Sequence, residues 1–132
     1  MKNYVKLILI LTLTSYNSTA QENSLVIVDE VTILNSNEDE ALYYYQQNWS
    51  KAREIAKERG YIQDFFLLQN DQKPEGLLLI TILKNESQKE SLEENFRKVF
   101  QAMPPGPKLL NRKEPNEFRE VSTLRFTNVT TP

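Results

Sequence analysis

The stretch Leu77 to Leu83, LLLITIL, holds no charge and no regular alternation of apolar with polar residues, so neither of its sides is built to face water. Two other strand-like stretches share this property. Leu25 to Leu34 (LVIVDEVTIL) sets Leu25, Ile27, Val31 and Ile33 against Val26, Val28 and Leu34. Tyr61 to Gln69 (YIQDFFLLQ) sets Phe65 and Leu67 against Phe66 and Leu68. A sheet made of such strands needs cover on both faces, and that limits the folds open to the chain.

Two helical patterns separate the strands. Ser36 with Asp39 three residues on forms a capping-box pattern, and Glu38, Asp39 and Glu40 suit the positive end of a helix dipole. A helix is expected over about residues 38–59, with Leu42, Tyr45, Trp49, Ala52 and Ala56 in one stripe and Gly60 as its stop. Tyr44 and Ile55 fall beside that stripe, so the apolar arc is broad. Asn70 to Gly76 has the composition of a hairpin loop. Ser87 and Glu90 form a second capping-box pattern, ahead of Leu92, Phe96, Val99, Phe100 and Met103 at helical spacing, and Pro104-Pro105-Gly106-Pro107 ends that helix. Lys108 to Asn116 reads as an irregular surface segment. Phe118 to Val129 is the last strand, its Val121, Leu124, Phe126 and Val129 out of a single phase, as a bulge would leave them.

The order β-α-β-β-α-β is the split βαβ arrangement, and the expected fold class is α+β and ferredoxin-like: a four-stranded antiparallel sheet with two helices on one face. In that topology the first and third strands are central. The charge-free Leu77 to Leu83 suits the middle, while Arg119, Glu120 and Arg125 suit an edge. The other sheet face then remains apolar and bare, so a homodimer is expected to close it. At roughly 25 cal/mol per Å², a few hundred Å² hidden per subunit supplies on the order of 10 kcal/mol before association costs.

The first twenty residues read as a signal peptide: Lys2 and Lys6 lead, Leu7 to Leu13 is a short apolar run, and Ser18-Thr19-Ala20 supplies small residues for cleavage after Ala20. The run is too short for a transmembrane anchor, and no cysteine follows to carry a lipid. The expected mature chain is one domain over residues 21–132, exported to the periplasm or secreted, with no integral membrane segment. Loss of the two lysines takes its charge from −2 to −4, and no Lys/Arg cluster is present, which argues against nucleic acid. The chain holds no His and no Cys, which excludes Cys/His zinc sites, thiol nucleophiles, His-based triads and His-ligated haem; no metal and no cofactor are expected.

The element order and the stretch Tyr44 to Leu68, with Asn48-Trp49, Arg53, Gly60-Tyr61-Ile62 and Phe65, resemble the dimeric α+β barrel superfamily. That superfamily includes antibiotic-biosynthesis-type monooxygenases, haem-degrading monooxygenases, and NIPSNAP-like and stress-responsive barrel proteins. The resemblance implies two sheets packed face to face in a homodimer. Haem-degrading members use Asn, Trp and His in their pocket. With Asn48 and Trp49 present but no histidine, haem ligation does not carry over.

The candidate ligand-binding residues are Asn48, Trp49, Tyr44, Tyr45, Arg53 and Asp64. Asn48 lies within the apolar arc and needs partners, either a ligand carbonyl or oxyanion or nearby backbone and water. Trp49 sits mid-stripe, as core anchor or as the wall of a cavity. Arg53, at the stripe's edge, either clamps a carboxylate or pairs with Glu54 or Asp64. Of three consecutive tyrosines, Tyr44 and Tyr45 can share a pocket while Tyr43 points outward. Asp64 is either a buried acid of raised pKa or a solvated strand-end carboxylate. Arg119 and Arg125 share a face of the last strand, where they receive an anion or guard an edge. Asn48, Asn85 and Asn128 head glycosylation-like triplets, the first inside a helix. The preferred functional reading is an exported dimer that binds a small apolar or aromatic molecule. The alternatives are a cofactor-independent monooxygenase-like enzyme, with Asn48 and a second polar group converging in an open cavity, and a purely structural dimer.

Overall fold

The computed structural model describes residues 24–127; the signal-peptide reading, Val129 and the Asn128 triplet lie outside them. Four strands, β1 (Leu25–Ile33), β2 (Asp64–Gln69), β3 (Gly76–Leu83) and β4 (Arg119–Thr127), form one antiparallel sheet in the order β2-β3-β1-β4. The two central strands are those expected, and charged β4 is an edge. Register decides which side chains face inward. With Leu77, Leu79, Thr81 and Leu83 of β3 buried beside Val31 and Ile33 of β1, one face of the sheet carries the core. Phe66, Leu68 and Leu78 stand on the opposite face and are exposed, as are Leu124 and Phe126 across from Val28 and Val26.

The core face is covered by α1 (Glu38–Tyr44), a π-helical stretch Tyr45–Ser50, and α2 (Lys51–Glu58), which together span the range expected of one helix, and by α3 (Glu86–Glu90) and α4 (Leu92–Gln101). A short α5 (Pro115–Phe118) precedes β4. Ala41 and Tyr45 pack with Val31, Ile33, Leu77, Leu79 and Phe118 in one apolar cluster, while Ala52, Ala56, Ile62, Leu83 and Val99 form a second. The π stretch joins the helical segments that serve these two clusters.

Several local expectations are corrected. Ser36 does not cap the first helix: Asn35 and Ser36 both take positive φ of 56°, Asn37 is the N-cap residue, and the Asn35 and Asn37 amides each donate to the Glu117 carbonyl at 3.1 Å. The second helix opens two residues before Ser87, with Asn85 Oδ1 accepting from the Gln88 amide at 2.9 Å. The segment read as irregular ends in α5, where Pro115 occupies the first turn and Glu114 and Glu117 form a reciprocal capping box. Phe118 belongs to that helix and is buried. No bulge interrupts β4: its pairing with β1 runs without a slip from Leu25–Thr127 to Ile33–Arg119. Its apolar residues change phase because Arg119, Thr123 and Arg125 take the core side of the sheet while Leu124 and Phe126 take the open side.

Candidate functional site

A cavity of about 420 Å³ opens between the π stretch, β1, β4 and the segment Met103–Pro107. That volume lies within the range of small-molecule sites. A π-helical turn holds one more residue than an α turn and commonly occurs where a helix presents side chains to a site. Here Tyr45, Asn48 and Trp49 from this stretch all line the cavity, with Tyr44 and Arg53 on either flank. Leu79, Phe100, Met103 and Val121 supply apolar wall.

The Met103–Pro107 side is fixed by Asn48. Its Nδ2 donates to the Tyr44 and Lys108 carbonyls, both at 2.8 Å, and its Oδ1 accepts from the Lys108 amide at 2.7 Å. Of the two readings of Asn48, the backbone one describes these contacts: the side chain ties the proline-rich segment to the helix. Gly106 carries the tie's turn at a φ of 79°, a backbone setting that side chains disfavour.

The aromatic side chains meet edge to face, except that Tyr44 and Phe118 are tilted at 56°. Tyr44 meets Tyr45 at 5.2 Å between ring centroids and Phe118 at 5.4 Å, and Trp49 meets Phe65 at 5.8 Å. Two guanidinium groups lie over these rings. Arg53 is 4.6 Å from the Trp49 centroid and 4.5 Å from that of Phe96; Arg119 is 5.5 Å from Tyr44 and 5.8 Å from Tyr45. Arg53 therefore forms neither surface pair expected of it. Lys51 takes Glu54 at 3.1 Å and Lys57 takes Asp64 at 2.9 Å, leaving Arg53 turned inward with one hydrogen bond, Nε to Thr81 Oγ1 at 3.4 Å. Burial pulls its guanidinium down to about 10, opposed by the Asp29 carboxylate. Asp29 lines the cavity and accepts from Thr123 Oγ1 at 2.6 Å.

Among the described residues, three buried side-chain polar atoms form no well-aligned hydrogen bond: Tyr45 Oη, Trp49 Nε1 and Arg119 Nε. All three belong to residues that line this cavity. A buried polar atom without a partner costs about 1–3 kcal/mol, so three of them on residues of one cavity wall mark a region where stability is given up. Burial also pushes the Tyr45 phenol up to about 12, with Arg119 pulling it back, so the hydroxyl keeps its proton and remains a donor at neutral pH.

Of the six sequence candidates, Asn48, Trp49, Tyr44, Tyr45 and Arg53 come together and Asp64 does not. Asp64 starts β2, bonded to Lys57 Nζ and to the Phe65 amide, both at 2.9 Å. The lysine hydrogen bond, then the amide, hold its carboxyl below the usual range, which overturns the reading as a buried acid of raised pKa. Arg119 joins the cavity, whereas Arg125 lines a second one of about 470 Å³ on the far side of Arg53. Sequence reasoning missed Asp29 and the proline segment. The lone acid among the inward positions of β1 was the available signal for the first, and Pro104–Pro107 was read only as a helix stop.

Among the described residues there is no cluster of acidic side chains able to hold a metal ion and no helix long and apolar enough to cross a membrane. The site is thus a half-open aromatic cavity on a ferredoxin-like α+β domain. The same fold appears in SnoaB, a cofactor-independent oxygenase from Streptomyces nogalater, at a TM-score of 0.50 and 14% identity over 82% of this chain and 95% of that one. A Chloroflexus aurantiacus J-10-fl protein described as an antibiotic biosynthesis monooxygenase aligns at a TM-score of 0.45 and 8% identity, over 83% and 96% of the two chains. A conserved protein from Methanosarcina mazei Go1 aligns at 0.44 and 16%, over 79% and 93%. No protein-family model and no curated protein sequence matches the chain. The similarity to SnoaB is therefore one of fold, the ferredoxin-like α+β class expected from the element order.

Proposed function

We propose that the protein is exported, pairs through its open sheet face, and holds a small apolar or aromatic molecule in the cavity beside the π stretch. The observation that carries this reading is a cavity of about 420 Å³ walled by Tyr44, Tyr45, Trp49 and Phe100 and bordered by Arg53 and Arg119. Rings provide the contact area and the guanidinium groups fix orientation, the usual division of labour in a small-molecule site. Trp49 is the only tryptophan, so its indole N–H gives a single signal in a nitrogen-proton correlation spectrum. Titration with a panel of one- to three-ring phenols and quinones is expected to move that signal saturably; an unmoved signal throughout the panel overturns the reading.

A second reading is a cofactor-independent oxygenase-like enzyme, the activity class named for SnoaB. The Arg53 and Arg119 guanidinium groups at the cavity favour it, because donors held ready beside a substrate stabilise negative charge that develops on its oxygen. Consumption of dissolved oxygen by the metal-free protein with a bound phenol separates this reading from binding alone. A purely structural dimer is the outcome if no small molecule binds.

A further inference from the structure

The charges around the cavity do not cancel. Its ionisable lining within the acid and base classes consists of Asp29 against Arg53 and Arg119, one negative charge against two positive. Asp29 forms no salt bridge with either arginine and accepts a hydrogen bond from Thr123 Oγ1 instead. Arg53 lies between the Trp49 and Phe96 rings with one long hydrogen bond, and Arg119 lies over Tyr44 and Tyr45 with its buried Nε unpartnered. A guanidinium taken from water is costly to leave without a counter-charge, and its planar fork suits a carboxylate-like group. Stacking on rings recovers part of that cost but leaves in-plane N–H donors free for an anion.

We propose that the ligand is a monoanion, an apolar ring body bearing one carboxylate, sulfonate or enolate group, with the anionic group held by Arg119 and Arg53 and the ring body against Trp49 and Tyr45. This rests on the cavity being the binding site. One negative charge from the ligand balances the lining, one acid against two guanidinium groups. Arg53 also faces the second cavity, where Glu90 and Glu93 balance Lys89 and Arg125, so the uncompensated charge lies on the side of the first cavity.

A matched pair of probes tests the charge separately from the cavity: 8-anilinonaphthalene-1-sulfonate and its uncharged parent N-phenyl-1-naphthylamine, each titrated while following Trp49 emission. The sulfonate is expected to bind the wild type about tenfold or more tightly than the neutral amine. Arg119→Gln is expected to bring the two affinities to within about twofold of each other by weakening only the sulfonate. Arg53→Gln is the second variant, and circular dichroism checks that each folds; the wild-type ratio stands as a test without either. Equal affinities in the wild type overturn the monoanion proposal while leaving the cavity reading intact. So does sulfonate binding that neither substitution weakens, which would place the probe on the open sheet face. Failure of both probes to perturb Trp49 removes the cavity reading and this proposal together.

Discussion

Tyr45 shows how a single residue can serve binding at the expense of stability. Its ring fills the core at 4% exposure, yet its hydroxyl is buried without a well-aligned hydrogen bond, drawn on only weakly by the Arg119 side chain. Tyr45→Phe keeps the ring and removes the unpartnered oxygen. At pH 7 the variant is expected to be more stable than wild type by up to about 1 kcal/mol in urea denaturation, while losing affinity for phenolic or anionic ligands. The pH dependence has a definite sign. Folding raises the phenol from 10.0 to about 12, so the contribution of Tyr45 is intact below pH 10 and lost as pH rises through 12. Across that window wild type is expected to lose up to about 2.7 kcal/mol relative to Tyr45→Phe, two units at 1.36 kcal/mol each. Sequence alone placed Tyr45 in the stripe and could not show that its hydroxyl lacks a partner, because the partners it misses depend on β4 and on Arg119, distant in sequence.

At the scale of elements, the π stretch and the proline segment form one unit. Periodicity gave a helix over the correct residues but no sign of a π turn, since spacings of three and four from Tyr45 through Trp49 and Ala52 to Ala56 also suit an α-helix. The broad arc, with Tyr44 and Ile55 flanking the stripe, was its only trace: an extra residue in a turn spreads the inward-facing set. Caps were less legible than helices. Ser36 and Ser87 had the expected spacing, but Asn37, next to the first, and Asn85, two residues before the second, took the N-cap positions. For the second helix the Asn85–Gln88 spacing was available in the sequence and offers the same chemistry. The tie between the π stretch and residues 103–108 rests on Asn48. Asn48→Leu removes three hydrogen bonds and is expected to cost about 1–2 kcal/mol, lowering Tm by roughly 4–8 °C, with the Lys108 amide losing protection in hydrogen exchange. Unchanged exchange at Lys108 would show that the segment is held by other means.

For the whole molecule, the sheet faces were the most legible feature. The absence of alternation in β2 and β3 follows directly from the structure: Leu77, Leu79 and Leu83 are buried under helices while Phe66 at 44% and Leu68 at 45% exposure lie bare on the opposite face. Such a contiguous apolar surface is a liability for an isolated chain. The proposed pairing of two copies through this face would remove it, and a charge placed there would oppose that pairing without touching the cavity. Phe66→Asp, and at the centre of the same face Ile80→Asp, are therefore expected to release folded monomers or to unfold the chain. Native mass spectrometry of residues 21–132, purified from the protein's own host, reads pairing and occupancy together. The expected wild-type result is a mass of two chains carrying an organic adduct of a few hundred daltons per site, with Phe66→Asp appearing as a single chain. A wild type that flies as a bare, well-folded monomer at micromolar concentration would contradict both the pairing and the bound ligand.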